Sequence, residues 1–263
     1  MIFLFLIILA ICLLISSIGF IEMVYFISYG YGLSVAGIGL FLFLTKSNIQ
    51  RDEMILSFLY IIYGFRLSLY LLIRNFNSAF RHKMKDRIKQ KKEYKLSILA
   101  MIWVSVALLY ACQTSPLAFK ILSSKKEKFF SYIGIIIALF GLILEIVADH
   151  QKSSAKKVNP HRFVDSGFYT YVRCPNYFGE IIFWTGNFIS GIKMYEGVFQ
   201  WTIVLLGYIG IVYVMFSGAR RIEIAQKKDY GENKEFKEYI KKTPLLIPFV
   251  PIYSVEKYTW LKA

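Results

Sequence analysis

Two long stretches without a single charge, Met1 to Ile21 and Trp201 to Gly218, constrain this chain more than any motif does. An uncharged apolar run of about 18 or more residues reads as a transmembrane helix. Apolar residues make up 56% of the sequence, above the roughly 45–50% of soluble domains. The first run has no basic segment ahead of it and no small-residue cleavage site, so it reads as a retained helix and not as a signal peptide. Seven spans follow from the pattern: about 2–28, 31–44, 54–73, 96–112, 130–148, 176–191 and 198–217. The second and sixth are short for a hydrocarbon layer of roughly 30 Å. The reading is an all-α membrane protein of about seven helices in one bundle, with basic cytosolic loops and a C-terminal interfacial helix. No repeat or low-complexity linker divides the chain, so residues 1–263 are taken as a single polytopic domain.

The net charge of +15 invites a nucleic-acid reading, but the placement of the bases argues against it. With alternating spans, the segments 74–95, 149–175 and 218–263 share one side and carry 24 of the 32 Lys and Arg residues. The opposite side carries seven. That asymmetry puts the C-terminus in the cytoplasm, in a bacterial inner membrane or the endoplasmic reticulum. The charge is therefore expected to meet solvent and lipid headgroups, with no nucleic acid as partner. The cysteines Cys12, Cys112 and Cys174 form neither a disulfide framework nor a zinc pattern, and no metal site is expected.

The informative residues are those a bilayer should not tolerate. Ionisable groups inside a span usually face a cavity or a partner, and here they are Glu22, Arg66, Glu145 and Glu180, with Asp149 at an edge. In "YGFRLSLYLLIRN", Tyr63, Arg66, Tyr70 and Arg74 fall on one helical face. A structural ion pair is the alternative role for Arg66. In "EIVADHQK", Glu145 and Asp149 stand four residues apart, and such like charges call for a cation or a hydrogen-bonding ligand between them, or else Lys152 and water satisfy Asp149. In "TYVRCPNYFGEIIFWTGN", Pro175 suits the first turn of a helix. From there Asn176, Glu180, Trp184 and Asn187 make a polar stripe, with Arg173 at the helix mouth, where an anion is favoured. The stripe reads as one wall of a cytoplasm-facing pocket, or else as polar glue between helices. The preceding "AKKVNPHRFVDSGFYTYVR" gathers Lys156, Lys157, Arg162 and Arg173 with Tyr169 and Tyr171, a set suited to a phosphorylated nucleotide. Neither G-x-G-x-x-G after a strand nor a P-loop signature is present. Beyond the last span, Arg220, Arg221 and Glu223 adjoin the membrane, and "EFKEYIKK" reads as an amphipathic helix lying on it.

Together "YGFRLSLYLLIRN", "EIVADHQK", "HRFVDSGFYTYVRCPNYFGEIIFW" and "DYGENKEFKEYIKKTPLLIP" occur in an order that resembles the steroid 5α-reductase superfamily, from about Tyr63 to Pro251. The resemblance implies a seven-helix bundle that binds NADPH from the cytoplasmic side. It implies hydride transfer to the C=C bond of a lipophilic α,β-unsaturated ketone. Residues 1–95 would then serve the substrate and 130–252 the cofactor. Asp149, Lys156, Arg162, Tyr171, Asn176, Glu180 and Trp184 would line the cofactor site, and Arg66, Glu145, Arg173 and Glu223 join them as candidates. Lys156 stands where the family commonly has arginine, so its phosphate pairing would be monodentate. Tyr63 matches the tyrosine that donates to the substrate carbonyl, and Glu22, the only acid of the first two spans, is its candidate partner. A sister group, the S-adenosylmethionine-dependent isoprenylcysteine methyltransferases, shares the pattern of Arg173, Pro175, Tyr177 and Gly179. Asn176, Asp149 and the Tyr63 to Arg66 segment favour the reductase.

Overall fold

A computed structural model describes residues 1–76, 94–125 and 127–262, with the backbone alone at 74–76. Most of the basic segment 74–95 thus lies outside the described residues. In chain order the helices are α1 (Ile2–Ser16), α2 (Tyr29–Thr45), α3 (Arg51–Phe76), α4 (Leu96–Leu122), α5 (Phe129–Val158), α6 (Pro175–Ser190), α7 (Gly197–Tyr230) and α8 (Lys234–Lys242). There is no strand among the described residues. The chain is an all-helical membrane protein, and among the described residues six stretches are long and apolar enough to cross a bilayer. The expected seventh, α6, has 16 residues; at 1.5 Å per residue it is about 24 Å long, short of the hydrocarbon thickness.

The first apolar run is not one helix. It stops at Ser16, makes 3₁₀ turns at Ser17–Phe20 and Met23–Phe26, and resumes as α2. The cause lies at Gly19, where any Cβ would collide with the Phe26 ring. That contact folds the chain back on itself, and Glu22 between the two turns is extended (φ −145°, ψ 128°). Helix α4 runs ten residues past its expected end, through Pro116. Proline cannot donate to the carbonyl four residues back. Here the Ser115 hydroxyl donates to that carbonyl, Cys112 O, at 2.6 Å, and Thr114 donates to Tyr110 O at 2.7 Å. Hydroxyls satisfying freed backbone groups are what let such a turn persist in an apolar setting.

The chain divides into two compact units, residues 1–132 with 190–207, and residues 133–189 with 208–263. In the first, α2 packs on α3 through small residues. A Cβ on Gly32 would lie 2.8 Å from Gly64 O, and one on Gly39 would lie 2.8 Å from Ser57 O. Close backbone approach of this kind is how helices associate where lipid competes for apolar surface. A buried ion pair, Lys120 with Asp52 at 2.5 Å, adds a polar lock, and the Ser131 hydroxyl donates to Asp52 at 2.6 Å.

In the second unit α5 and α6 meet in the same manner. A Cβ on Gly179 would stand 2.8 Å from both Glu145 N and Gly141 O. Gly186 faces Ala138 and Gly134 one repeat further along. Helix α8 begins at Asn233, whose side chain accepts from Glu235 N and Phe236 N. It is amphipathic, as expected, and its apolar side docks on a loop: Phe236 is fully buried against Phe163, and Tyr239 stacks on the same ring at 5.4 Å. Beyond α8 the chain packs Leu245, Leu246, Val255 and Leu261 around Cys174 and Ala219.

Candidate functional site

The first unit holds a buried relay of hydroxyls. Tyr63 on α3 has no exposed surface, and its hydroxyl lies 3.0 Å from that of Tyr31 on α2. Gln113 on α4 donates from Nε2 to the Tyr31 oxygen at 2.8 Å. An amide NH₂ only donates, so Tyr31 accepts there, and it shares a second hydrogen bond with Tyr63 in which either hydroxyl can donate. Gln113, Tyr31 and Tyr63 form one hydrogen-bonded chain, in which neighbouring bonds polarise one another. Tyr110 stacks at 5.1 Å on Tyr31 and donates to Phe26 O at 2.9 Å, which fixes the ring. Arg66 lies one turn along α3, its guanidinium carbon 5.9 Å from the Tyr63 ring centre. Glu22 is half-buried and pairs with the Tyr25 hydroxyl.

Tyr31 and Gln113 escaped the sequence reading. Tyr31 looks like any aromatic at the start of a span. Gln113 fell just past the expected end of its helix, although a glutamine followed by "TSP" inside a helix is a legible signal once the helix is seen to continue.

The second unit brings five of the predicted residues together along α5 and α6. Asn176 Nδ2 donates to Asp149 Oδ1 at 3.3 Å. Glu145 is buried one turn below Asp149, beside Gly179, and Glu180 and Trp184 are buried along α6. Trp184 also packs edge-to-face on Phe183 at 5.0 Å. Asn187 donates to Phe183 O at 2.9 Å, which returns that amide to the helix backbone.

The basic loop is tied into the protein more than its composition suggests. Lys156 directs its three donors at Pro160 O (3.1 Å), Arg162 O (2.5 Å) and the Tyr230 hydroxyl (2.8 Å). Arg162 is exposed and pairs with Glu235 at 2.7 Å and Asp165 at 2.9 Å, contacts that raise its pKa further. Tyr171 is 62% exposed. Arg173 is buried, 2% exposed, with Glu223 equally buried 3.8 Å away. Burial pulls the Arg173 pKa below its ordinary value, and Glu223 opposes that shift. Arg173 also donates to Tyr253 O, while its Nε and Nη1 reach no hydrogen-bond acceptor. Its backbone N–H bonds Pro244 O at 2.9 Å, and Cys174 N bonds Leu245 O at 3.0 Å. Glu223 in turn accepts from Val255 N at 3.0 Å and pairs with Lys227 at 3.3 Å. Arg173 and Glu223 therefore clamp the C-terminal segment, a role the sequence did not reveal because the partners lie 50 and more residues apart. Burial raises the Cys174 thiol to about 11, so little of it is thiolate at neutral pH.

A family model described as a protein of unknown function, DUF1295, matches residues 13–243. The chain belongs to that family. DUF1295 membership and curated relatives named as steroid 5α-reductases place it in the steroid 5α-reductase superfamily. The steroid 5-alpha-reductase DET2 of Arabidopsis thaliana is 28% identical over 45% of this chain and 41% of its own length. The 3-oxo-5-alpha-steroid 4-dehydrogenase 1 of Rattus norvegicus is 25% identical over 44% of this chain and 40% of its own. An uncharacterized protein of Schizosaccharomyces pombe is 23% identical over 75% of this chain and 60% of its own. The chain thus spans about two fifths of the length of the named reductases it matches. No solved structure matches this DUF1295 chain.

Proposed function

We propose that the protein is a membrane reductase that uses NADPH to saturate a carbon–carbon double bond conjugated to a carbonyl in a lipophilic substrate. One observation carries the reading: in an apolar helix pair, Asn176 and Asp149 meet at 3.3 Å with Glu145 and Glu180 buried beside them. Membership of a superfamily with curated reductases supports it.

The donor set suits the cofactor. Carboxylates accept hydrogen bonds and a carboxamide both accepts and donates, which matches the ribose hydroxyls and the nicotinamide amide. Asp149, Glu145, Asn176 and Glu180 would hold that end, with Trp184 packing the wall. Arg162 and Tyr171, both exposed, suit a phosphate and an adenine ring. Lys156, Arg173 and Glu223 shape the loop and the tail on which these groups sit. Bound there, NADPH supplies the hydride.

In the first unit, Tyr63 is the proton donor. As the double bond is reduced, negative charge builds on the carbonyl oxygen, and a positioned donor stabilises it. With Tyr31 donating to Tyr63, the Gln113–Tyr31 pair would aim the Tyr63 hydroxyl and make it a better donor. Arg66 over the ring adds positive potential on the same face. This relay takes the place of Glu22, whose carboxylate turns to Tyr25.

The test is turnover by the full chain in lipid nanodiscs, with deuterated NADPH and a panel of lipophilic enones. Deuterium on the carbon β to the product carbonyl is expected. NADPH that stabilises the fold yet is never consumed across the panel would refute the enone chemistry. Methyl transfer from S-adenosylmethionine would refute the cofactor as well.

A further inference from the structure

Helix α7 leaves its uncharged run at Gly218, and Arg220 and Arg221 follow at once. The C-terminal segment lies along this same end of the helix. Tyr213 stacks on Trp260 at 6.1 Å and donates to its carbonyl at 2.9 Å, while Arg220 Nε donates to Glu256 O at 3.0 Å. Between helix and tail is a cleft of about 220 Å³ lined by Ser217, Arg220, Arg221, Ile224, Leu261 and Lys262.

Among the described residues, three cations line this cleft and no acid does. Two acids on the same helix and tail have partners of their own. Glu256 pairs with Lys227, and Glu223 is held by Arg173, Lys227 and Val255 N. Arg221 lies near the Tyr177 hydroxyl. Ser217, which lines the cleft, is 2% exposed, and its hydroxyl reaches no hydrogen-bond partner among the described residues. An orphaned buried hydroxyl is costly unless something bonds it. The apolar wall of Ile224 and Leu261 sits beside the charges, and Trp260 is 65% exposed at the edge. Exposed tryptophan with adjacent Arg and Lys marks the depth of lipid headgroups.

We propose that this cleft is a phosphate-binding site at the membrane surface, filled by the headgroup of an anionic phospholipid. Arg220 and Lys262 take phosphate oxygens, the Ser217 hydroxyl donates to the same group, and the apolar wall receives the first carbons of the lipid. The cleft shares no lining residue with the Asp149–Asn176 cluster, and the proposal does not depend on the reductase reading.

Native mass spectrometry of the full chain, in micelles containing phosphatidylglycerol and phosphatidylcholine, tests it. The expected result is one retained phosphatidylglycerol, preferred about tenfold, as a few headgroup-level cations allow. Arg220→Gln and, separately, Lys262→Gln should each erase that preference. The second substitution is on an exposed side chain and spares the fold even if the first loosens the tail. A thermal shift with inorganic phosphate, present in wild type, absent in both variants and without any lipid preference, would support the site with a soluble phosphate as its occupant. No preference and no shift would overturn it. Loss of NADPH stabilisation in both variants would also overturn it, by making the cleft part of the cofactor site; retained NADPH stabilisation keeps the two apart.

Discussion

Arg173 lies under the C-terminal segment, and replacing it with methionine gives the clearest stability prediction. The substitution removes a buried cation that faces Glu223 and donates to Tyr253 O. Breaking a buried pair by deleting one partner costs about 3–5 kcal/mol. Glu223 keeps Lys227 at 3.3 Å and Val255 N at 3.0 Å, so the low end, about 3 kcal/mol, applies. At about 2–4 °C per kcal/mol for a chain of this size, the melting temperature should fall by roughly 6–12 °C. The assay is intrinsic-fluorescence unfolding in detergent, paired with limited trypsin digestion at Arg220 and Lys257, where cleavage should accelerate as the tail detaches. The companion Arg173→Met/Glu223→Leu removes both charges and should recover part of the loss, since matched apolar replacement of a buried pair is often close to neutral. A single-variant shift under 2 °C, or a double variant that adds the two losses, would show that the pair does not hold the tail.

Four further outcomes are expected. Tyr63→Phe should lower turnover by about 10²–10³, the scale for loss of one donor at a developing oxyanion, with NADPH affinity nearly unchanged; parallel loss of both would make Tyr63 structural. Gln113→Leu should lower turnover about tenfold through the weakened relay, and rates equal to wild type would remove Gln113 from it. Gly179→Ala drives a Cβ to 2.8 Å of two backbone atoms on α5, so a loss of about 1–3 kcal/mol is expected, together with weaker NADPH binding; an unshifted melting curve would contradict the close α5–α6 contact. Cys174, buried and with a thiol pKa raised to about 11, should resist maleimide at neutral pH until the protein unfolds, and labelling of the native chain would contradict its placement.

What the sequence disclosed depended on range. Uncharged runs and the stripe of Asn176, Glu180 and Trp184 are periodic, local signals, and they located most of the helices and the polar row along α6. The break after Ser16 was hidden, because it is set by Phe26 packing on Gly19 inside a run that is apolar throughout. The extension of α4 was hidden for the opposite reason. "QTSP" reads as a loop, yet its hydroxyls satisfy the carbonyls that Pro116 disturbs. Gln113 went unnoticed with it. The roles of Lys156 and Arg173 turn on Tyr230, Glu223 and Tyr253, which lie 50 to 80 residues away. No spacing rule reaches that far, and clustered bases read as a phosphate site whether or not tertiary partners already hold them.

The central claim is that the polar groups shared by α5 and α6 hold a nicotinamide cofactor. Its most direct test is thermal unfolding of the purified full chain with NADPH, NADP⁺ or S-adenosylmethionine, in wild type and in Asn176→Ala/Glu180→Ala. A ligand at 100 times its Kd stabilises the fold that binds it by about 2.7 kcal/mol. The account predicts that shift with NADPH in wild type, its loss in the double variant, and none with S-adenosylmethionine. A shift with S-adenosylmethionine alone, or an NADPH shift that survives in the double variant, would contradict it.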